Sequence, residues 1–568
     1  ERLDAKGNVL KAPNLKQLDT IIKKIKADKI ESVAICFLHS FINPAHEELV
    51  GRIVKESLPD CFVSLSTNIL PQKREYERTS TTVINAYVGP PVRDYLGEMI
   101  RQLTTKGITE RLMVMQSSGG ILDAESCLEK PAHIVECGPA AGVIGAEYIA
   151  RAAGFKNVLT LDMGGTTAKA SIIEGGVFSL ADEYEVGGGM SSSSALVGKG
   201  GYALKLPVID IAEVGAGGGS LAWLDGAGSL KIGPESAGAN PGPACYSQGN
   251  ENPTVTDANL VLGYLNPEAL AAGTVPINKK LAEQAIQKNI AKPMKLGLME
   301  TAYGIHSVAN AAMMRAVRAV TTYRGRDPRD FTLFAFGGAG GLHAVDLARV
   351  LRIKEVVVPL AAGVFSAVGL LYSNLEVNET APLLTLIESV PLDIAEQTFG
   401  NLENKITKII GGDKSEIEFT RFADVRFKGQ AYEITVSFEN DNVLTRKEFD
   451  ELANRFEKQH LDRYGHAFSG EFPVELVNLR LVGTKKRKTS AIKQNTENLE
   501  TMENSREVYF GPKIGNTNAR VITRSCLNEV AEEGPIIIEE YEGTVVVPPD
   551  CTVRVDKQGN VIIKLPEI

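Results

Sequence analysis

Residues 157–173 of this 568-residue chain read NVLTLDMGGTTAKASII. Val158, Leu159 and Leu161 make an apolar run of the length expected for one buried strand. Asp162 closes that run, Gly164-Gly165-Thr166-Thr167 follows, and a second β-prone run occupies residues 170–173. Strand, Gly-Gly-Thr-Thr turn, strand predicts a hairpin whose tip exposes backbone N–H groups and hydroxyls. Glycine lets such a tip approach an anion closely, and successive N–H groups then wrap it. The carboxylate at the end of the first strand is placed to hold Mg²⁺, directly or through water. An ordinary tight hairpin is the alternative reading of the same residues.

Outward from this hairpin, glycine marks the loops. Upstream, residues 112–115 read as a strand leading into Gln116-Ser117-Ser118-Gly119-Gly120, and Cys137-Gly138-Pro139-Ala140-Ala141-Gly142 starts a helix ending at Gly154. Downstream lie Gly187-Gly188-Gly189-Met190, four serines, Gly198-Lys199-Gly200-Gly201, and Gly215-Ala216-Gly217-Gly218-Gly219-Ser220. Glycine loops lose much conformational entropy on ordering. Their density around one Asp-x-Gly-Gly-Thr turn points to close approach of a ligand or another chain. SAGANPGPACY, residues 236–246, is a further turn-dense loop, and Asp257 opens a helix in TVTDANL. Asp257 reads as a helix cap or as a catalytic or metal-linked carboxylate.

Residues 300–323 carry one apolar stripe of Ile305, Val308, Ala309, Ala312, Met313, Ala316, Val317 and Val320. His306 and Arg315 lie off its middle and are candidates to face a cleft. Residues 331–336 predict a buried strand running into Gly337-Gly338-Ala339-Gly340-Gly341 and a helix from Leu342. A helix N-terminus meets a nucleotide or anion in that arrangement, whereas the dinucleotide spacing G-x-G-x-x-G is absent. His343, in the first turn, reads as a packed or capping residue.

The flanks are plainer. Residues 14–66 alternate helix and strand, a βαβ pattern that predicts a parallel or mixed sheet. Residues 72–103 predict a long helix interrupted at Gly89-Pro90-Pro91, with Arg74, Glu75, Glu77 and Arg78 as ion pairs on a solvated face. From about residue 376 glycine falls and charge rises. An α+β region runs to 485, residues 485–507 read as an exposed linker, and 508–568 read as a small β barrel or sandwich. The expected division is 1–66, 67–375 and 376–568.

Composition bounds the function. The chain is 43% hydrophobic and 23% charged with a formal net charge of −9, which disfavours a nucleic-acid or anionic-membrane footprint. No apolar run reaches transmembrane length. The seven scattered cysteines lack a C-x-x-C pair and suit reduced thiols in a cytoplasmic setting.

DMGGTTAKASII resembles the second phosphate loop of the actin, sugar-kinase and heat-shock-chaperone ATPase superfamily. ERLDAKGNVL, REYERTSTTVINAY, MQSSGG, CGPAAGV, DIAEVGAGGGSLAW, SAGANPGPACY, PTVTDANLVLG, RGRDPRDFTLFAFGGAGGLHA, GVFSAVGLL, FKGQAYEITV and HLDRYGH, in that order, resemble the hydantoinase A/5-oxoprolinase family over nearly the whole chain. That resemblance implies an α/β fold with an actin-like ATPase core, residues 1–66 as a remnant of the family's N-terminal domain, and C-terminal α+β and β-rich parts. It implies ATP and Mg²⁺ as cofactors and a hydantoinase B-type partner subunit. ATP hydrolysis would be coupled to opening a cyclic amide or to carboxylating a ketone; a non-catalytic assembly role is the third reading.

By the same resemblance, Asp162 with Gly164, Gly165, Thr166 and Thr167 would hold phosphates and Mg²⁺. Gly337, Gly338 and Gly340 would border the adenosine, Gly215, Gly217 and Gly218 would line the cleft, and Asp257 would position water or metal. Two departures stand out. The family's additional N-terminal phosphate loop is not in this sequence, so a separate N-terminal segment is a possible partner. Asp210-Ile211-Ala212-Glu213 also stands where many members read Asp-Ile-His-Thr.

Overall fold

A computed structural model describes the chain apart from residues 182–183, 187–200, 272, 440–443, 467, 469, 488–502 and 567–568. The glycine- and serine-rich loop at 187–200 and most of the expected linker thus lie outside the described residues. Two compact units divide the chain. One comprises Glu1–Val135, Ala203–Leu206 and Ser373–Lys488; the other comprises Glu136–Tyr202, Pro207–Tyr372 and Thr489–Ile568.

The second unit contains the hairpin. Its principal sheet carries β1 (Val158–Met163), β2 (Ala168–Glu174), β3 (Ala212–Val214), β4 (Thr332–Phe336), β5 (Glu355–Val358), β6 (Glu532–Glu533), β7 (Thr552–Val555) and β8 (Val561–Lys564). They are ordered β3-β2-β1-β4-β5-β8-β7-β6. β1 pairs antiparallel with β2, and β2 with β3, while β1, β4 and β5 run parallel. In β1, all but Asp162 are buried, the unbroken apolar pattern of a strand covered on both faces.

The covering helices include α1 (Cys137–Ala153), α2 (Val255–Val261), α3 (Leu298–Val320), α4 (Gly340–Leu351) and α5 (Phe365–Tyr372). α1 stops at Gly154, whose φ of +86° gives the left-handed C-terminal cap. On α3 the expected stripe is buried, with Ile305, Ala309, Met313, Ala316, Val317 and Val320 all fully enclosed.

The tail differs from expectation. Residues 508–568 form no barrel of their own: β7 and β8 continue the principal sheet beyond β5. Glu503–Tyr509, Asn516–Ile522, Ile536–Glu539 and Thr544–Val547 make a separate four-stranded sheet. The strand beginning at Glu503 also occupies the end of the expected linker. Strand periodicity locates such segments but leaves their partners unspecified, and here β8 pairs with the edge of β5 while β7 pairs with β8.

The first unit holds a six-stranded sheet. Its order is Ile434–Ser437, Glu418–Phe427, Val474–Lys485, Leu375–Leu386, Ile121–Asp123 and Met113–Met115. Helices Leu392–Ile410 and Arg446–Tyr464 contribute Phe399, Phe449 and Phe456 to its core. The βαβ pattern near the start is present, with Ser32–Ile35 parallel to Phe62–Leu65.

Two expectations fail in the helix Glu75–Thr105. It continues through Pro90 and Pro91. Proline removes helix bonds, but both halves are anchored: Gly89 lies against the Phe62 ring, and Leu96 packs with Ala124 and Cys127.

Arg78 is not on a solvated face. It is 1% exposed, donates to Ser40 Oγ, to Ser66 Oγ at 2.9 Å and to the Phe37 carbonyl at 2.9 Å, and lies 3.9 Å from Glu47. Glu47, fully buried, accepts from Phe37 N at 2.6 Å and Ser66 Oγ at 2.8 Å. Removing one member of a buried ion pair leaves an uncompensated charge at about 3–5 kcal/mol. Arg78→Met is expected to lower the unfolding free energy of this unit by that amount, read in a urea titration; an unchanged free energy would deny Arg78 this structural role.

Candidate functional site

The hairpin tip forms as expected. Gly164 N donates to Thr167 O at 3.1 Å, and Gly165 and Thr166 are exposed. Among the described residues, neither the Gly165 nor the Thr166 amide donates to a backbone or side-chain acceptor. Two adjacent free N–H groups on an exposed glycine turn are the donor set an anionic oxygen requires.

The 215–219 loop does more than border this tip. Gly218 N donates to Gly164 O at 3.0 Å and Gly219 N to Gly165 O at 2.6 Å. A Cβ on Gly217 would come within 2.6 Å of Gly165 and Thr166 backbone atoms. Glycine there permits backbone to lie directly on backbone. Thr256, at the start of α2, holds the loop in turn, donating from N (2.7 Å) and Oγ1 (2.9 Å) to the Gly218 carbonyl. Gly215 is in ordinary contact with Pro234.

On the other side, Gly337 has φ +79°, and a Cβ there would meet Asp162 Oδ1 and Met163 O at 2.5 Å. Ala339 N donates to Met163 O at 3.0 Å. Gly337 and Gly338 thus bring the turn before α4 beside Asp162, and Gly340 begins the helix. The sequence-derived glycines of 164–167, 215–219 and 337–340 converge on one place.

Asp257 does something different. It is fully buried, and its Oδ2 accepts from Thr254 N (2.9 Å), Thr254 Oγ1 (2.8 Å) and Ala244 N (3.1 Å), while Oδ1 accepts from Cys245 N (2.8 Å). This capping box also fastens the SAGANPGPACY loop to α2. Asp257→Ala would orphan these donors and is expected to lower stability by about 3 kcal/mol in urea unfolding. Stability within 0.5 kcal/mol of the parent (about the scatter of neutral surface changes) would show the carboxylate is not a structural clip.

Sequence reasoning missed three charged residues here. Lys169 stands opposite Asp162 across the β1–β2 ladder, and Glu213 stands opposite Lys169 across β2–β3. Lys169 Nζ lies 3.2 Å from Glu213 Oε1 and donates to Thr167 Oγ1 at 2.9 Å. Glu136, at φ +65° just before α1, senses both charges: burial first, then Glu213, push its carboxyl up, against Lys169. A non-glycine residue in the left-handed region is uncommon and concentrates at working sites. The signal was present in AKASII, where one lysine interrupts an otherwise buried strand.

Asp162 titrates upward for the same reasons. Burial raises its carboxyl above the usual range, Lys169 opposes this and Glu213 reinforces it. Asp210 is tied up elsewhere, held by both Arg324 guanidinium nitrogens, which links the DIAEV block to RGRDPRD. His306 is fully buried rather than facing a cleft, Arg315 is exposed, and His343 is packed as expected. All seven cysteines are free thiols. Among the described residues there is no cluster of three or more His, Cys, Asp or Glu side chains arranged to hold a metal, and no helix is long and apolar enough to cross a membrane.

Known proteins resemble the chain along most of its length. Residues 78–379 match the hydantoinase/oxoprolinase family model, 1–58 its N-terminal region and 394–567 its C-terminal domain. An uncharacterized protein of Methanocaldococcus jannaschii is 42% identical, covering 98% of this chain and 81% of its own length. The caprolactamase subunit alpha of Pseudomonas jessenii is 33% identical over 94% of this chain and 76% of its own. The acetophenone carboxylase gamma subunit of Aromatoleum aromaticum is 29% identical over 99% and 78%. The crystal structure of the ATP-dependent caprolactamase from Pseudomonas jessenii superposes with a TM-score of 0.80 at 30% identity, covering 99% of this chain and 81% of that one. The fold is the mixed α/β actin-like ATPase fold.

Proposed function

Since this chain belongs to the hydantoinase/oxoprolinase family, we propose that it is the ATP-binding subunit of a cyclic-amide hydrolase acting on a hydantoin- or oxoproline-like ring. The family comprises ATP-dependent cyclic amidohydrolases and ketone carboxylases. The observation that carries the reading is the convergence of the Gly165–Thr166 amides, Asp162 and Lys169 at one end of the β1–β2 hairpin. Phosphoryl transfer depends on positioning and on neutralising charge, and these groups supply both.

The donor set fits MgATP. The free amides of Gly165 and Thr166 would hold phosphate oxygens, Asp162 would hold Mg²⁺, and Lys169 would neutralise phosphate charge, kept in place by Glu213 and Thr167. Gly337, Gly338 and Gly340 would border the adenosine. ATP, when bound, would supply a phosphoryl group to the amide oxygen, making the ring carbonyl carbon electrophilic enough for water to add and the C–N bond to break, with the nitrogen leaving protonated. Asp257, on this reading, positions the wall of the site rather than touching water or metal. A B-type subunit would complete the substrate side, in keeping with the subunit nature of the caprolactamase relative.

The carboxylase relative favours a second reading, the ATP-using subunit of a ketone carboxylase. Release of ADP by the chain with its partner separates the two. The hydrolase reading expects ADP release to rise with hydantoin, oxoproline or a lactam and to ignore bicarbonate. A rise that requires a ketone and bicarbonate together would replace it with the second reading.

A further inference from the structure

Behind the nucleotide loops, four buried polar side chains join three helices. Asn259 belongs to α2, His306 and Asn310 stand one turn apart on α3, and His343 is in the first turn of α4. Asn259, His306 and His343 are completely buried, and Asn310 is 7% exposed. His306 Nδ1 lies 2.7 Å from Asn259 Oδ1, Asn259 Nδ2 lies 3.1 Å from His343 Nε2, and His343 Nδ1 lies 2.7 Å from Asn310 Oδ1. The two imidazoles stack at 4.2 Å with planes 9° apart, and His306 Nε2 reaches Asp346 Oδ2 at 3.1 Å. Every polar atom of Asn259 that could be orphaned by burial is thereby paired, once to α3 and once to α4. Such fully connected networks specify a unique arrangement, and losing one member strands the others.

The attachment points matter. Three residues before Asn259, Thr256 grips the carbonyl of Gly218, whose N–H grips the phosphate-loop residue Gly164. Three residues before His343, Gly340 begins α4 immediately after the Gly337–Gly338 turn that lies beside Asp162. We infer that the Asn259–His306–His343–Asn310 network is a positioning device for the nucleotide site, fixing the spacing between the α2 end that holds the phosphate hairpin and the α4 end that borders the adenosine. The inference rests on the nucleotide reading given above. Asn259 and His343 touch no reacting atom; they act through Thr256 and Gly340. Burial and the neighbouring His306 keep the His343 imidazole well below its usual titration range, in keeping with a neutral, structural hydrogen-bond partner.

The test uses the whole chain and MgATP, with affinity read by calorimetry. His343→Leu puts an apolar side chain of similar reach in place of the imidazole and removes both hydrogen bonds; MgATP is expected to bind at least tenfold more weakly. His343→Gln restores a polar group at the Nε2 position facing Asn259, and its affinity is expected to lie within threefold of the unsubstituted chain. A folding role alone predicts that His343→Leu loses stability while its folded fraction keeps the parental affinity for MgATP. Hydrogen exchange on the unsubstituted chain provides a measurement that no folding defect can spoil: MgATP is expected to slow amides of α2 and α4 together. Parental affinity in His343→Leu, no rescue by His343→Gln, or slowing confined to one helix overturns the inference. Absence of MgATP binding by the unsubstituted chain instead overturns the nucleotide reading, and the inference with it.

Discussion

Asp162→Asn is expected to weaken MgATP binding at least 100-fold while making the folded chain slightly more stable. The two effects have one cause. Among the described residues the Asp162 carboxylate accepts no hydrogen bond, and burial raises its proton affinity, with Lys169 only partly offsetting the cost. A carboxyl whose folded pKa lies above its unfolded value binds protons more readily when folded. Stability therefore falls as pH rises from the ordinary carboxylate range through the raised pKa, and the ionised form carries that penalty at neutral pH. Asparagine removes the penalty, so the stability gain is expected at neutral pH and is expected to vanish below the ordinary carboxylate range.

Binding has the opposite dependence. Mg²⁺ requires the carboxylate, so the affinity of the unsubstituted chain for MgATP is expected to fall as pH drops through the raised pKa, starting above the usual range. Thermal unfolding and calorimetry at several pH values check both halves. An asparagine variant that loses stability, or that binds MgATP normally, would deny Asp162 its metal role.

Gly337→Ala is the second large effect, and it is steric. Its φ of +79° is strained for any L side chain, and the new Cβ would sit 2.5 Å from Asp162 Oδ1 and Met163 O. A left-handed backbone alone costs roughly 1–2 kcal/mol, and the overlap with the β1 backbone cannot be relieved by a side-chain rotation. The turn before α4 has to move away from Asp162. MgATP affinity is expected to drop by two orders of magnitude or more. Gly154→Ala is the control, because it carries the same left-handed strain at φ +86° with nothing within 4 Å of the new Cβ and lies outside the nucleotide loops; it is expected to bind within a few fold of the parent. Equal losses in both variants would mean that the close approach of Gly337 to Asp162 is not what shapes the site.

The hairpin was legible because two periodicities meet at its tip: an apolar strand ends at Asp162, and only glycine and threonine follow. The α3 stripe and the strand before Gly337 were legible for the same reason. Local chemistry could not announce partners. Arg78 sits in a run of charges that reads as solvated, yet Ser40 and Glu47, more than thirty residues away, bury it. The strands at 552–564 look like part of a barrel until β8 joins the edge of β5 and carries β7 with it. Gly217 reads as one of several cleft glycines, whereas its lack of a Cβ lets two backbones touch. Lys169 and Glu213 required the ladder register, because only pairing across β1, β2 and β3 sets them beside Asp162.

The central claim is that the β1–β2 hairpin is a working phosphate loop, and calorimetric titration of MgATP into the unsubstituted chain tests it most directly. Saturable binding at one site per chain, lost in Asp162→Asn and retained in Gly154→Ala, is the predicted result. No heat of binding up to millimolar nucleotide, or binding indifferent to Asp162, would contradict it.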